Sequence, residues 1–159
     1  MFKEIKDKRY ASYVLPIRIK DGQRQVALIE YKPNEYGTIG GRFEEGETDA
    51  RKALKRELIE ELNIGADKIA DTAVELSVPY CFDVAPERQA FRCARSEVHY
   101  VFVAQIPANM EIIFCEKCSG NVHIVWLDAE SLLDKKVIGF DDEREYLEQY
   151  AMPTIRNMN

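Results

Sequence analysis

The stretch Gly40–Gly65, GGRFEEGETDARKALKRELIEELNIG, constrains the chain more than any other segment. Its second half predicts an amphipathic helix, because apolar residues recur at every fourth position and would form one stripe. The residues of this stripe are Ala50, Leu54, Leu58 and Leu62. The stripe indicates a helix that packs on a core along one side.

Three acids accompany the stripe. Glu57, Glu60 and Glu61 fall at positions i, i+3 and i+4, so their carboxylates converge on one helical face. That face borders the apolar stripe, where water is partly excluded. Like charges held together repel, and a hard divalent cation with oxygen ligands relieves the repulsion. The spacing therefore predicts a metal site.

The residues on either side of the helix fit this interpretation. Gly40 and Gly41 allow a tight turn and a close approach to the acids, so a backbone carbonyl could join the coordination shell. Thr48 or Asp49 is expected to cap the helix. Asn63 is expected to take the left-handed conformation that often ends a helix.

An isolated ELIEEL segment would most simply be a solvated acidic face, but the order of residues before it is specific. It resembles the signature of the Nudix hydrolases: Gly, five residues, Glu, seven residues, then Arg-Glu-aliphatic-any-Glu-Glu-any-Gly-aliphatic. The matching residues are Gly41, Glu47, Arg56, Glu57, Leu58, Glu60, Glu61 and Ile64.

Three positions depart from the signature. Eight residues separate Glu47 from Arg56 where the family has seven, Asn63 replaces a glycine, and Ile39 stands where proline is common. One residue added inside the helix would rotate everything before it by about 100°. We therefore expect the extra residue in the turn Gly46–Asp49, with the helical acids placed as in the family and Glu47 displaced.

The resemblance implies an α/β fold, an α/β/α sandwich with a mixed β-sheet between helices, over the single domain 1–159. It also implies a metal-dependent pyrophosphohydrolase, in which water attacks a phosphorus of a nucleoside diphosphate linked to another group. The expected cofactor is Mg²⁺, with Mn²⁺ possible, and the implied metal ligands are Gly40, Glu57, Glu60 and Glu61. The implied catalytic residues are Arg56, Glu57 and Glu60, supported by Gly41 and Glu47. A separate catalytic base is sought among Glu97, Glu111 and Glu116.

Two other functions stay open at this point. One is a Nudix-fold module that binds nucleotides or regulates but has lost catalysis. The other is a Nudix isomerase acting on an isoprenyl diphosphate, which needs a Cys and Glu pair and for which Cys81 could serve. The sequence does not name the nucleotide substrate, because its recognition resides in loops.

Alternating β-branched and aromatic residues predict strands at Tyr10–Lys20 and Val26–Tyr31, joined by an Asp21-Gly22 hairpin turn. Further strands are predicted at Ala73–Val78, Glu97–Ile106, Ile112–Cys115 and Val122–Leu127, and helices at Asp128–Lys135 and Asp141–Ala151. The irregular stretch Asp83–Ser96 is the candidate functional loop. It carries the candidate substrate-binding residues Arg88, Arg92 and Arg95, whose guanidinium groups suit phosphate oxygens.

Composition limits the partners. The chain has 159 residues, 46% of them hydrophobic, which is enough for one domain with its own core. Its 28 acidic and 22 basic side chains give a net charge of −6, which disfavours nucleic acid and anionic membranes. The start, MFKEIKDKRY, lacks the apolar segment of a signal peptide, so a cytoplasmic protein is expected. A homodimer is expected from the resemblance.

The remaining chemically active residues have simpler interpretations. Cys115 and Cys118 have the spacing of half a zinc site that Cys81 and Cys93 could complete, but free thiols are favoured. His99 and His123 lie in predicted strands and are expected to be structural, and Trp126 to pack in the core. Aromatic residues near strand ends are candidates for stacking on a base: Tyr36, Tyr80 and Phe82.

Overall fold

The computed structural model describes residues 4–115 and 122–159. Its strands are β1 (Lys6–Lys20), β2 (Gln23–Lys32), β3 (Glu35–Gly37), β4 (Ile39–Arg42), β5 (Leu62–Ile64), β6 (Val74–Glu75), β7 (Tyr80–Asp83), β8 (Ala94–Gln105), β9 (Ile113–Phe114) and β10 (His123–Asp128). Its helices are α1 (Ala50–Glu61), α2 (Ala66–Thr72), α3 (Gln89–Arg92), α4 (Asp141–Tyr146) and α5 (Met152–Arg156). Short 3₁₀ turns at Pro86–Arg88 and Ala129–Leu133 and a π turn at Leu147–Ala151 complete the described elements.

The 15-residue strand β1 organises the sheet. One edge of β1 pairs in parallel with β8, in register from Lys6 to Ile17. The other edge pairs antiparallel first with β4 and then with β2. Pro16 lies between these two segments, because pairing with β4 ends at Val14 and pairing with β2 begins at Ile17. A proline has no N–H to donate, so this gap is a position that tolerates it.

The remaining pairings make the sheet mixed. Strands β10 and β3 pair antiparallel with β2, and β6 and β7 pair antiparallel with β8. Alternate residues of β2 serve opposite faces: Val26 and Leu28 pack with the C-terminal helices, while Ala27 and Ile29 pack with α1 and α2. Helical layers therefore cover both faces, and the expected α/β/α sandwich is confirmed.

The predicted elements are found with changed bounds. The Asp21-Gly22 turn has positive φ angles of 52° and 76°, as a tight hairpin turn requires. The predicted C-terminal helix continues beyond Ala151, through the π turn, to Arg156. The predicted strand Ala73–Val78 is wrong in length, since only Val74–Glu75 pairs with β8. None of the described helices is long and apolar enough to cross a bilayer.

The expected role of Asn63 at the end of the helix is wrong. Helix α1 ends at Glu61, and the next residue, Leu62, is already extended, with φ −112° and ψ 131°. Asn63 belongs to β5, which pairs with β9. The left-handed conformation occurs two residues later, at Gly65, with φ 100°, where the chain enters α2. Strand pairing therefore replaces the helix-terminating turn.

Candidate active site

The acidic helix is fixed at its start by polar contacts and along its length by apolar burial. The Asp49 side chain accepts a hydrogen bond from the Lys52 amide at 3.0 Å, so Asp49 is the N-cap. The Ser12 hydroxyl donates to the Ala50 carbonyl at 2.8 Å and ties the first turn to β1. Leu54 and Leu58 are fully buried. The helix is regular from Ala50 to Glu61, so the extra residue lies before it, as expected.

Arg56 is the centre of the hydrogen bonds around the acids. Its guanidinium donates twice to Glu47, at 2.7 and 3.0 Å. One nitrogen, Nη1, donates to both Glu57 at 3.0 Å and Glu60 at 3.1 Å. Another, Nη2, also donates to the carbonyl of Arg42 at 3.0 Å. The bonds to Glu47 come first among the contacts that raise the pKa of Arg56, so this guanidinium stays charged.

At the glycine pair Gly40-Gly41, the backbone of β4 lies very close to the helical acids. A Cβ on Gly41 would lie 2.4 Å from the carboxylate carbon of Glu57, so this carboxylate would have to move. The Gly40 amide donates to Glu61 Oε2 at 3.3 Å. Gly40 also has φ +143°, and a Cβ there would lie 2.1 Å from the Ser12 carbonyl oxygen. Position 40 therefore requires glycine, whereas a side chain at position 41 would have to displace the Glu57 carboxylate.

The acids are unfavourably placed as bare anions. Burial, followed by the charge of Glu57, raises the pKa of Glu61 to about 7. Burial also raises the pKa of Glu57, whose side chain is 13% exposed, while that of Glu60 is 52% exposed. Carboxylates that burial and mutual repulsion destabilise are a donor set suited to a hard cation such as Mg²⁺.

The carboxylates of Glu57, Glu60 and Glu61 do not surround a common metal position. Within residues 4–115 and 122–159, no three His, Cys, Asp or Glu side chains are gathered as ligands of a common metal ion. Instead, Arg56 Nη1 donates to one oxygen of Glu57 and one of Glu60. The second oxygen of a carboxylate held in this way can still ligate a cation, so Arg56 can orient both acids while they bind metal.

A cleft of about 390 Å³ opens beside the acids. Tyr31 and the segment Gly37–Thr38, which leads into the glycine pair, form part of its wall. Burial raises the pKa of Tyr31, and the charge of Glu61 adds to the effect, although Glu47, Glu57, Glu60 and Glu61 do not themselves line the cleft. Aromatic rings line it: Tyr13, Tyr31, Tyr80, Phe82, His99 and Phe140. Its charged residues are Asp83, Arg88, Arg92, Asp142 and Glu143.

A buried carboxylate lies under the cleft. The side chain of Glu97 is only 1% exposed. Its Oε2 accepts from Arg92 Nε at 2.7 Å and lies 3.6 Å from Arg42 Nη2, and its Oε1 lies 3.1 Å from His99 Nε2. Burial alone would raise the pKa of Glu97, but the bonds from His99 and Arg92 outweigh it and lower the pKa to about 2.

The residues proposed from sequence are only partly brought together. Arg88 and Arg92 line the cleft, whereas Arg95 is exposed elsewhere and pairs with Asp7 at 2.5 Å. Of the three candidate bases, Glu97 is buried in ion pairs and Glu111 is exposed beside Gly65. Glu116 lies outside the described residues.

The cysteines give no support for a zinc site. Cys81 is exposed, Cys93 buried and Cys115 half-buried, and all three are free thiols. Cys118 lies outside the described residues, among which no metal-binding group of three side chains occurs.

Several cleft residues were not predicted from sequence. Tyr80 and Phe82 do line the cleft, while Tyr36 packs against the core. His99 is expected from sequence to be structural, yet it lines the cleft, and Arg42 lies beside Glu97 at the end of β4. Two signals were available: His99 lies two residues from Glu97 on the same strand face, and Arg42 directly follows the glycine pair.

The comparisons with known proteins agree with this geometry. The NUDIX domain family matches residues 9–149. No curated protein matches the sequence. The Ap4A hydrolase of C. elegans in a binary complex is 15% identical with a TM-score of 0.64, over 94% of this chain and 99% of that one. The dihydroneopterin triphosphate pyrophosphohydrolase of E. coli is 22% identical with a TM-score of 0.63, over 93% and 99%.

A third similar structure, the mutator MutT protein of Bacillus halodurans, is 15% identical with a TM-score of 0.59, over 88% of this chain and 80% of that one. At such identities the structures establish the fold alone. The family match extends over most of the sequence and contains the acidic helix, the glycine pair and the cleft-lining strands. The chain therefore belongs to the Nudix family of hydrolases, which act on pyrophosphate bonds.

Proposed function

We propose that this protein is a Mg²⁺-dependent pyrophosphohydrolase that cleaves a nucleoside diphosphate linked to another group. The observation that carries the proposal is the contact between the Gly41 backbone and the Glu57 carboxylate, where a Cβ would lie within 2.4 Å. At this contact the backbone of Gly40 and Gly41 lies directly against the half-buried carboxylates of Glu57 and Glu61. The raised pKa values of Glu57 and Glu61 support the same assignment, because a cation would restore both acids to their charged form.

In this proposal Glu57, Glu60, Glu61 and the Gly40 carbonyl hold the metal. The chemistry that Mg²⁺ supplies when bound is neutralisation of the diphosphate charge and activation of water for attack on phosphorus. Arg56 retains the role of holding Glu47 and orienting the helical acids. An alternative role for Glu57 is to accept the proton of the attacking water, because burial raises its pKa.

The cleft supports a nucleotide derivative as substrate. Its aromatic rings offer flat surfaces on which a base can stack, and Tyr80 and Phe82 already stand with ring centroids 5.1 Å apart. Arg88 and Arg92 supply cations for phosphate oxygens. The two structural neighbours described as an Ap4A hydrolase and a dihydroneopterin triphosphate pyrophosphohydrolase support substrates that join phosphates to an aromatic heterocycle.

The test is hydrolysis of a panel of nucleoside diphosphate derivatives across a Mg²⁺ titration, with product masses identifying the bond that breaks. Glu61→Gln is expected to lose at least ~100-fold in kcat, because a neutral amide is a poor ligand for a hard cation. Glu145→Gln, at an exposed position of α4, is the matched control and keeps wild-type rates. Equal hydrolysis by wild type and Glu61→Gln would refute the assignment. Tight binding without cleavage or metal dependence would instead identify a non-catalytic Nudix module.

A further inference from the structure

The carboxylate of Glu97 is buried, yet the proposed hydrolysis does not use it. It lies on β8, in register with Phe82 of β7 on one side and Arg9 of β1 on the other. Both its oxygens are engaged, Oε2 by Arg92 and Oε1 by His99. Because the side chain is 1% exposed, there is no surface at which a water molecule could be activated. Glu97 is therefore poorly placed to be a general base, although its sequence position made it a candidate.

The partners of Glu97 lie on three elements, α3, β4 and β8. They belong both to the cleft wall and to the strand beside the helical acids. Arg92 is the last residue of α3 and His99 lies on β8, and both line the cleft. Arg42 ends β4, directly after the glycine pair. Its carbonyl accepts from Arg56 while its guanidinium reaches toward Glu97. The buried carboxylate of Glu97 thus links the cleft wall to β4, the strand that lies against the helical acids.

The charges of this cluster do not cancel. One carboxylate faces the guanidinium groups of Arg92 and Arg42, which leaves an excess of one positive charge without any contribution from His99. Both guanidinium groups keep partial exposure, at 29% and 28%. Arg92 lines the cleft, whose wall also carries Asp83, Asp142 and Glu143, and Arg42 lies next to the glycine pair. Arginine held by a carboxylate keeps free N–H groups for a second anion, and a phosphate fits them.

We infer that Glu97 is a positioning residue that holds Arg92 and Arg42 in place to bind the phosphates of the substrate. This inference rests on the proposed function, because it assumes that a diphosphate enters the cleft. An arginine that is already held in place loses less conformational entropy when the substrate binds. Glu97 should therefore affect substrate binding more than the chemical step. The lowered pKa of Glu97 is consistent with it, since the carboxylate stays ionised at all working pH values.

Steady-state kinetics separates this role from that of a base. Glu97→Gln keeps the shape of the side chain but removes the charge that holds both arginines, so KM should rise ~10-fold or more while kcat changes little. Arg92→Ala should raise KM to a similar extent. The two effects should be less than additive in the double variant, because Glu97 acts in part through Arg92 and in part through Arg42. Glu75→Gln, at an exposed position of β6, which pairs with β8 at Phe102 and Val103, is the matched control.

A binding measurement gives a second readout that does not require turnover. Calorimetry with a methylene-bridged nucleoside diphosphate, which cannot be cleaved at the bridge, should show ~10-fold weaker binding to Glu97→Gln than to wild type. If Glu97→Gln does not fold, Arg92→Ala must show the same loss in both assays for the inference to stand. If wild type hydrolyses nothing, the proposed function fails, while the calorimetric comparison still decides the role of Glu97.

Two results would overturn the inference. A fall of kcat by ~100-fold or more in Glu97→Gln with unchanged KM would identify Glu97 as the base. Unchanged binding of the methylene-bridged ligand by folded Glu97→Gln and by Arg92→Ala would show that the cluster only stabilises the fold.

Discussion

Arg56 holds the carboxylate of Glu47 in a two-pronged contact, Nε to Oε2 at 3.0 Å and Nη2 to Oε1 at 2.7 Å. The contact forms although the chain places eight residues between the two, where the family signature has seven. Because α1 is regular from Ala50 onward, the turn before the helix absorbs the extra residue. The pairing lowers the pKa of Glu47, chiefly through the hydrogen bonds from Arg56.

Arg56→Lys should impair catalysis without unfolding the protein. An ammonium cannot reproduce the planar fork that reaches Glu47, Glu57 and the Arg42 carbonyl together, so the acids lose their common donor. Losing charge-assisted hydrogen bonds of about 1.5–3 kcal/mol each predicts a fall of roughly 10- to 100-fold in kcat. Arg95→Lys is the control, since Arg95 pairs with Asp7 away from the cleft. Wild-type kcat in Arg56→Lys would contradict the orienting role.

Gly41→Ala should lower activity by displacing the Glu57 carboxylate. The added methyl would occupy the position of that carboxylate, so either Glu57 or β4 must move. We expect a loss of ~100-fold or more in Mg²⁺-dependent hydrolysis, with the melting temperature lowered by only a few degrees. Gly139→Ala, at a position with nothing within 4 Å of the added methyl, is the control and should be silent. Full activity in Gly41→Ala would remove Glu57 from the site.

The stability contributed by Glu97 should depend on pH. Its pKa is about 2 in the folded protein, below the ordinary value, so the unfolded chain takes up the proton first. The contribution is therefore complete above about pH 5 and is lost as the pH falls from about 4.5 toward 2. Integrated over this window it is on the order of 3 kcal/mol. Urea unfolding of wild type and Glu97→Gln at stepped pH should show the difference between them shrinking in acid. A difference that stays constant from pH 6 to pH 3 would contradict it.

The fold was largely predictable because its signals are local. Alternation in β1 and β2, the Asp21-Gly22 turn and the stripe on α1 each follow from side-chain period and backbone preference. Strand pairing overrode local preference at Asn63, where β5 meets β9 in place of a helix-terminating turn. Such a choice depends on residues some fifty positions away, which no local pattern reports.

The grouping of the acids on one helix was predictable from sequence, whereas the grouping of residues around Glu97 was not. The spacing of Glu57, Glu60 and Glu61 fixes one helical face, so sequence alone brings them together. The partners of Glu97 come from α3, β4 and β8, and only the folded sheet unites them. Arg88, Arg92 and Arg95 illustrate the limit: they lie close in sequence, yet Arg95 faces away toward Asp7.

Deleting Asp49 tests how the turn absorbs the extra residue. The deletion restores the seven-residue spacing, and Thr48 then precedes the helix, where its hydroxyl can replace the lost cap. Since threonine caps only slightly less well than aspartate, the free energy of unfolding should fall by about 1 kcal/mol or less. Leu54 and Leu58 keep α1 seated on the core, and Arg56 keeps its reach to Glu47 through a shorter turn. Mg²⁺-dependent hydrolysis should therefore survive within a few-fold of wild type, measured beside urea unfolding.

Asp49→Ala, which removes the cap but keeps the length, is the matched control and should lose about 1 kcal/mol of stability with unchanged kcat. A deletion variant that is unfolded, or folded but inactive, would show that the turn needs its present length to hold the helical acids in place.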